Sequence, residues 1–199
     1  LVILGGFPEN YLSLPIEVLS TAMREGQKLF SVVRDGRQLP LFVGVADAPE
    51  DPKGLIRRGN ERVLRARLED ARFFWDQDRK VPLSERAPGL QNVVFQEKLG
   101  SYDDKAQRLK KIVAYLCDKL GAAEVKADVV EAAALCKADL LTEMVKEFSG
   151  LQGRMGGLYA EQEGLPAAVH RAIYEHYQPG GLDDASPSSL GGAILSLAD

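Results

Sequence analysis

From residue 102 onward the apolar side chains recur at every third or fourth position, and this period is what most limits the folds open to the chain. Leu109, Ile112, Val113, Leu116 and Leu120 follow the spacing of one helix face, with Gly121 as the stop. Val129, Val130, Ala133 and Ala134 lead into Leu140, Leu141, Met144, Val145 and Phe148 as a second helical pattern, which ends at Gly150. Val169, Ala172, Ile173 and His176 make a third stripe, and "LGGAILSLAD" at residues 190–199 makes a fourth. Segments that each carry one apolar stripe must bury it against one another, so this half of the chain reads as all-α.

The first half carries two periods. "LSLPIEVLSTAMREG" (residues 12–26) predicts a helix with Ser13 as a cap, Pro15 in its first turn and Gly26 at its end. Leu29–Val33 and Leu41–Val45 are rich in β-formers and flank Asp35-Gly36, which predicts a hairpin. "GNERVLRARLEDARFFWDQDRK" (residues 59–80) predicts a long amphipathic helix with Val63, Leu64, Leu68, Ala71, Phe74 and Trp75 on one side. "VPLSERAPGLQNV" (residues 81–93) is a Pro- and Gly-punctuated connector, and it sets the expected division at a mixed region 1–88 and a helical domain 89–199. The expected class is therefore α+β, mostly helical.

Charge narrows the function. A chain of 199 residues that is 45% hydrophobic can build a real core, and a net charge of -4 excludes a wholesale nucleic-acid coat. The charge is unevenly spread: residues 53–80 hold nine Lys or Arg against five acids. Arg57, Arg58, Arg62, Arg65, Arg67 and Arg72 form either a solvated helix face with pairs such as Glu61 to Arg65, or a surface that contacts phosphates. No apolar run is long enough for a membrane span, and "LVILGGFPEN" is not a signal peptide. Both ends read as cut from a longer chain. Cys117 and Cys136 lie in apolar helical patterns without metal-ligand spacing, as reduced core thiols of a cytoplasmic protein do.

No complete active site is legible. His170 and His176 are the only histidines, and Asp183, Asp184 and Asp199 are the carboxylates that follow them. His176 is expected to be structural and the acidic loop solvated. There is no P-loop, dinucleotide fingerprint or nucleophile elbow, and "LQGRMGGLY" (residues 151–159) reads as a tight loop. "ALCKADLLTEM" (residues 134–144) is the odd stretch, since it sets Lys137, Asp139 and Glu143 into an apolar pattern.

The order of features in the helical half resembles the HD superfamily of metal-dependent phosphohydrolases, in which an early helix carries a His, a second the His-Asp pair and a last helix ends with Asp. In this chain the matching positions are Lys105 in "YDDKAQRL", Lys137-Ala138 in "AALCKAD" and Asp199 in "ILSLAD". "AIYEHYQPGGLDDASPSSLGGAILSLAD" is similar to a segment of one HD subgroup, with His176 in a matching place. A protonated Lys has no lone pair and Ala has no donor, so the resemblance implies a retained fold with its catalysis discarded. The alternative is an active phosphohydrolase with altered ligands, using His176 and Asp199. A denser resemblance covers nearly the whole chain: "ENYLSLPIEVLSTAM", "RGNERVLRARLEDARFFWDQDRK", "CKADLLTEMVKEFSGLQGRMGGLYA" and "PSSLGGAILSLAD" look like the β subunit of bacterial glycyl-tRNA synthetase. That resemblance implies an internal piece containing an HD-like domain, truncated at its end, with no catalytic residue, metal or cofactor of its own. It implies that ATP and Mg are used by an α subunit, in an assembly of two α and two β chains that charges tRNA-glycine, and that the β chain contacts the tRNA.

Overall fold

The computed structural model describes residues Leu1–Asp199, and the chain divides into two compact units, Leu1–Gln77 and Asp78–Asp199. Residues 78–88 thus fold with the second unit, whereas the sequence puts the division at 88/89.

Unit 1 begins with a strand that periodicity did not announce, β1 (Val2–Gly6). A short 3-10 turn over Glu9–Ser13 leads to α1 (Ile16–Gln27), then β2 (Phe30–Arg34), β3 (Arg37–Val45) and α2 (Leu55–Asp78). The hairpin is where Asp35-Gly36 places it: both residues have positive φ (50° and 75°), the conformation that matches the twist of paired strands. The sheet is antiparallel with order β1-β3-β2, and Val2 pairs with Val45, Leu4 with Val43 and Phe30 with Val43. One sheet face buries Ile3 and Phe42 with Val18, Leu19 and Met23 of α1; the other leaves Val2, Leu4, Phe30 and Val45 exposed. Two details of α1 differ from expectation. Ser13 donates to Asn10 O within the 3-10 turn and caps nothing, and the helix runs past Gly26 to a left-handed Lys28. The long helix also starts earlier than residue 59, because Asp51 accepts from the Leu55 and Arg57 amides and so supplies the start signal.

Unit 2 is helical around a small exception. α3 (Leu83–Arg86) and a 3-10 turn at Ala87–Asn92 precede a hairpin of β4 (Val94–Gln96) and β5 (Gly100–Ser101), so residues 89–199 are not all-α. Then come α4 (Tyr102–Leu120), α5 (Lys126–Leu135), α6 (Glu143–Glu147), α7 (Arg154–Gln162), α8 (Ala167–Glu175) and α9 (Leu190–Ala198). α4 packs on α5, α7 on α8, and α8 on both α5 and α9. A Ser101–Asp104 capping box starts α4 and Gly121 at φ 67° ends it. Its buried face is Ala106, Leu109, Val113 and Cys117 rather than the larger Ile112 and Leu120, which stand in solvent. "LQGRMGGLY" is not a loop. Gly153, at φ 82°, turns the chain into α7, and Gly157 lets α7 approach α8 so closely that a Cβ there would lie 2.4 Å from Tyr174 Cβ. Asp78, the first residue of unit 2, is buried and accepts from the Glu143 and Met144 amides and the Tyr159 hydroxyl, with Arg86 beside it.

Candidate functional site

The expected continuous helix over residues 129–148 is broken, and the break makes the most unusual site in the protein. α5 ends at Leu135, a 3-10 turn occupies Ala138–Leu141, and Thr142 restarts the helix by capping Val145 N. Asp139 causes the turn: its backbone carbonyl accepts from Thr142 N and Oγ1, and its Oδ2 accepts from the Gly153 and Gly156 amides. The turn carries Lys137 inward, where it is 0% exposed.

There the Lys137 ammonium meets three acceptors. Its Nζ lies 2.7 Å from Asp199 Oδ2, 2.6 Å from the Tyr177 hydroxyl and 2.9 Å from His176 Nε2. Lys105, in the first turns of α4, holds the other oxygen of Asp199 at 2.9 Å. His176 caps the end of α8, and its Nδ1 lies 2.6 Å from Ile173 O. A carbonyl can only accept, so Nδ1 carries the proton and Nε2 offers its lone pair to Lys137. Gln152 donates to the Tyr177 hydroxyl from the rim.

The electrostatics follow from burial and pairing. Burial pulls Lys137 below the usual lysine range and the charge of Lys105 adds to that fall, while Cys136 and the charge and hydrogen bond of Asp199 work against it. Burial would raise Asp199, yet the charge of Lys137 and the hydrogen bonds from both lysines outweigh it, so the carboxyl is held low. Burial first, and Lys137 second, hold His176 below its ordinary range and therefore neutral. Burial pushes the Asp139 carboxyl up to about 6 and the Cys136 thiol up to about 12.

Three of the positions singled out in the sequence, Lys105, Lys137 and Asp199, are thus brought together, and His176 joins them. Ala138 is buried but contributes only a methyl. His170 sits apart, in a surface cavity of about 270 Å³ with Glu161 and Tyr174, and Asp184 closes its own loop by accepting from Gly180 N. Tyr177 and Gln152 escaped sequence reading, because nothing in local pattern marks a Tyr that follows a helix end as a partner for a residue 40 positions earlier. The donors do not fit a metal: no group of three His, Cys, Asp or Glu is placed to hold one, and the point where His176 and Asp199 converge carries an ammonium.

The basic helix of unit 1 is the second candidate. Leu64, Leu68, Ala71 and Trp75 form its buried stripe, while Val63 and Phe73 stand in solvent. Arg57, Arg58, Arg62 and Arg65 are exposed. Arg67 and Arg72 are half-buried and face their own unit: the Arg67 guanidinium lies against Gly26 of α1, and Arg72 stacks 4.8 Å above the Tyr11 ring. The ion pair is not Glu61 with Arg65; Glu61 stands 4.0 Å from Arg57 and accepts from Gly6 N. At the start of the helix the Arg57 and Arg58 guanidiniums converge over Gly54, within 3.6 and 3.3 Å of where a Cβ would stand. Together with Lys53, Val2 and Leu4 they line a cavity of about 490 Å³.

Comparison with known proteins gives one consistent answer. The family profile described as Glycyl-tRNA synthetase beta subunit matches residues 1–199. The chain is 50% identical over 198 residues to the glycine–tRNA ligase beta subunit of Desulforudis audaxviator, 49% over 197 residues to that of Halothermothrix orenii and 46% over 198 residues to that of Myxococcus xanthus. These alignments cover 98%, 98% and 99% of the chain but only 29%, 29% and 28% of the relatives. The chain therefore spans less than a third of the length of the relatives it matches.

Proposed function

Because the chain belongs to the glycyl-tRNA synthetase beta subunit family, we propose that it serves as a non-catalytic, tRNA-contacting and scaffolding part of a cytoplasmic glycine–tRNA ligase. The relatives are beta subunits, so an α subunit is the implied partner, and on this reading ATP, Mg and the adenylation chemistry belong to that subunit. No helix of this chain is long and apolar enough to cross a membrane.

The observation that carries the RNA contact is the convergence of Arg57 and Arg58 over Gly54 at the rim of the 490 Å³ cavity. Like charges gathered at an exposed point repel one another unless an anion lies between them. Of the nearby carboxylates, Asp51, which also lines the cavity, is held by backbone amides and feels the charge of Arg58, while Glu61 stands 4.0 Å from Arg57, so the two guanidiniums are only partly compensated. A phosphodiester suits two planar guanidiniums and one ammonium, and its counterion release makes binding steeply salt-dependent. The test is tRNA-glycine binding by the full-length assembly across a salt series. Arg57→Glu with Arg58→Glu is expected to flatten the salt slope and weaken binding. An unchanged slope would remove the contact from this end of the helix.

For unit 2 we propose an HD-like scaffold whose catalytic positions have been replaced. The support is that Lys105, Lys137 and Asp199, far apart in sequence, converge at one buried point as the resemblance expects. An active phosphohydrolase finds no support in the same geometry, since an ammonium occupies the point where His176 and Asp199 converge.

A further inference from the structure

We infer that the Lys137 ammonium acts as a resident cation, filling the point at which His176 and Asp199 could otherwise share a metal ion and closing unit 2 to divalent metals. The inference stands on the geometry of unit 2 and is independent of the RNA reading.

The surroundings of Lys137 are those of a bound cation. A lysine ammonium has three N–H groups, and here each has an acceptor: a carboxylate oxygen, a phenol oxygen and an imidazole lone pair. His176 is oriented as metal-binding histidines are, with Nδ1–H given to a backbone carbonyl and Nε2 directed at the charge. Asp199 is held on both oxygens, by Lys137 and Lys105. A divalent ion could reach this pair only by displacing Lys137, and the second ammonium, Lys105, adds repulsion. Nor is there a ready third donor. Asp139 is wholly buried on the neighbouring turn with its Oδ2 committed to the Gly153 and Gly156 amides, and although its Oδ1 has no partner, it is not placed to complete a three-donor group with His176 and Asp199.

The result is a cation that does not dissociate. It ties the turn after α5 to the end of α8 through His176 and Tyr177 and to the end of α9 through Asp199, whose other oxygen holds Lys105 at the start of α4. A metal in this place would make the packing of these helices depend on supply and on chelators. A covalently attached ammonium does not.

The experiment uses the full-length protein and Co²⁺ as the probe. The wild type is expected to contain no stoichiometric transition metal, to show no Co²⁺ ligand-field spectrum, and to keep the same hydrogen exchange in residues 190–198 with or without a chelator. Lys137→Met, which supplies bulk without charge, is expected to speed exchange there by at least about tenfold, with no rescue by metal. Lys137→Asp supplies a third donor beside His176 and Asp199; it is expected to bind Co²⁺ tetrahedrally, with protection restored on binding and lost again in His176→Gln. A wild-type protein that binds Co²⁺ through His176 would overturn the inference. So would unchanged exchange in Lys137→Met, or a folded Lys137→Asp protein blind to Co²⁺. The wild-type measurement decides the matter even where a variant fails to fold.

Discussion

Unit 1 holds Arg57, Arg58, Arg62 and Arg65 out into solvent along one helix, whereas unit 2 turns Lys105 and Lys137 inward onto a single carboxylate. The difference in residue type suits the difference in place. A guanidinium is weakly hydrated, always charged and shaped for phosphate, so it can be displayed at little cost. An ammonium is a compact charge with three donors, and it is tolerated inside a protein only where three acceptors are arranged around it. Displayed charge does little for stability and much for recognition; enclosed charge does the reverse.

That contrast can be attacked from the inside first. Asp199→Ala removes the shared acceptor and leaves the buried Lys137 ammonium facing the half-buried one of Lys105, and unit 2 is expected to lose about 3–5 kcal/mol. Hydrogen exchange of α4 and α9 in the full-length protein measures it, and a loss under about 1 kcal/mol would show that the cluster contributes no more than a surface pair.

The buried acid beside the cluster gives the next largest effect. Asp139 is raised from 3.8 to about 6 in the folded state, so its protonated form is the one that folding favours. Its stabilisation is complete below the ordinary carboxyl range and is lost as pH rises through about 6, a change of roughly 2–3 kcal/mol. Wild type should therefore lose stability relative to Asp139→Asn between pH 4 and pH 7, as read by paired denaturation curves. A difference that stays flat with pH would place Asp139 outside this account.

On the outward side, Arg57→Glu with Arg58→Glu is expected to weaken tRNA-glycine binding by about 10–100-fold at low salt while unfolding shifts by less than about 0.5 kcal/mol. The smallest effect sharpens the contrast within the helix itself. Arg67→Ala and Arg72→Ala should leave RNA affinity within about twofold, because the one lies against α1 and the other covers Tyr11. A loss equal to that of Arg57 and Arg58 would mean that half-buried arginines also reach the RNA.

Sequence reading succeeded where a local signal is sufficient. Asp35-Gly36 announced the hairpin, Gly121 the end of α4, and the apolar stripe of residues 64–75 the long helix. It failed where the cause lies elsewhere in the chain. β1 exists because Val2–Gly6 pairs with β3, about 40 residues away. The pattern from Val129 to Phe148 hides a turn, because the amides that hold Asp139 come from Gly153 and Gly156. α7 looked like a loop because its glycines serve close packing, Gly157 on Tyr174 and Gly156 on Ile173 and Asp139, which glycine content cannot reveal. The meeting of Lys105, Lys137 and Asp199 is made by packing between distant helices, and the part of Tyr177 depends on how the chain leaves α8.

Cys136 immediately precedes Lys137, is wholly buried, and directs its Sγ at Ala133 O, 3.6 Å away. With its thiol at about 12, almost no thiolate exists at neutral pH while the site is closed. Alkylation must therefore wait for a fluctuation that lifts residue 136, and Lys137 with it, out of the interior. Followed at the peptide that carries Cys136, the rate of thiol modification becomes a clock for that event, counting how often the enclosed charge meets water.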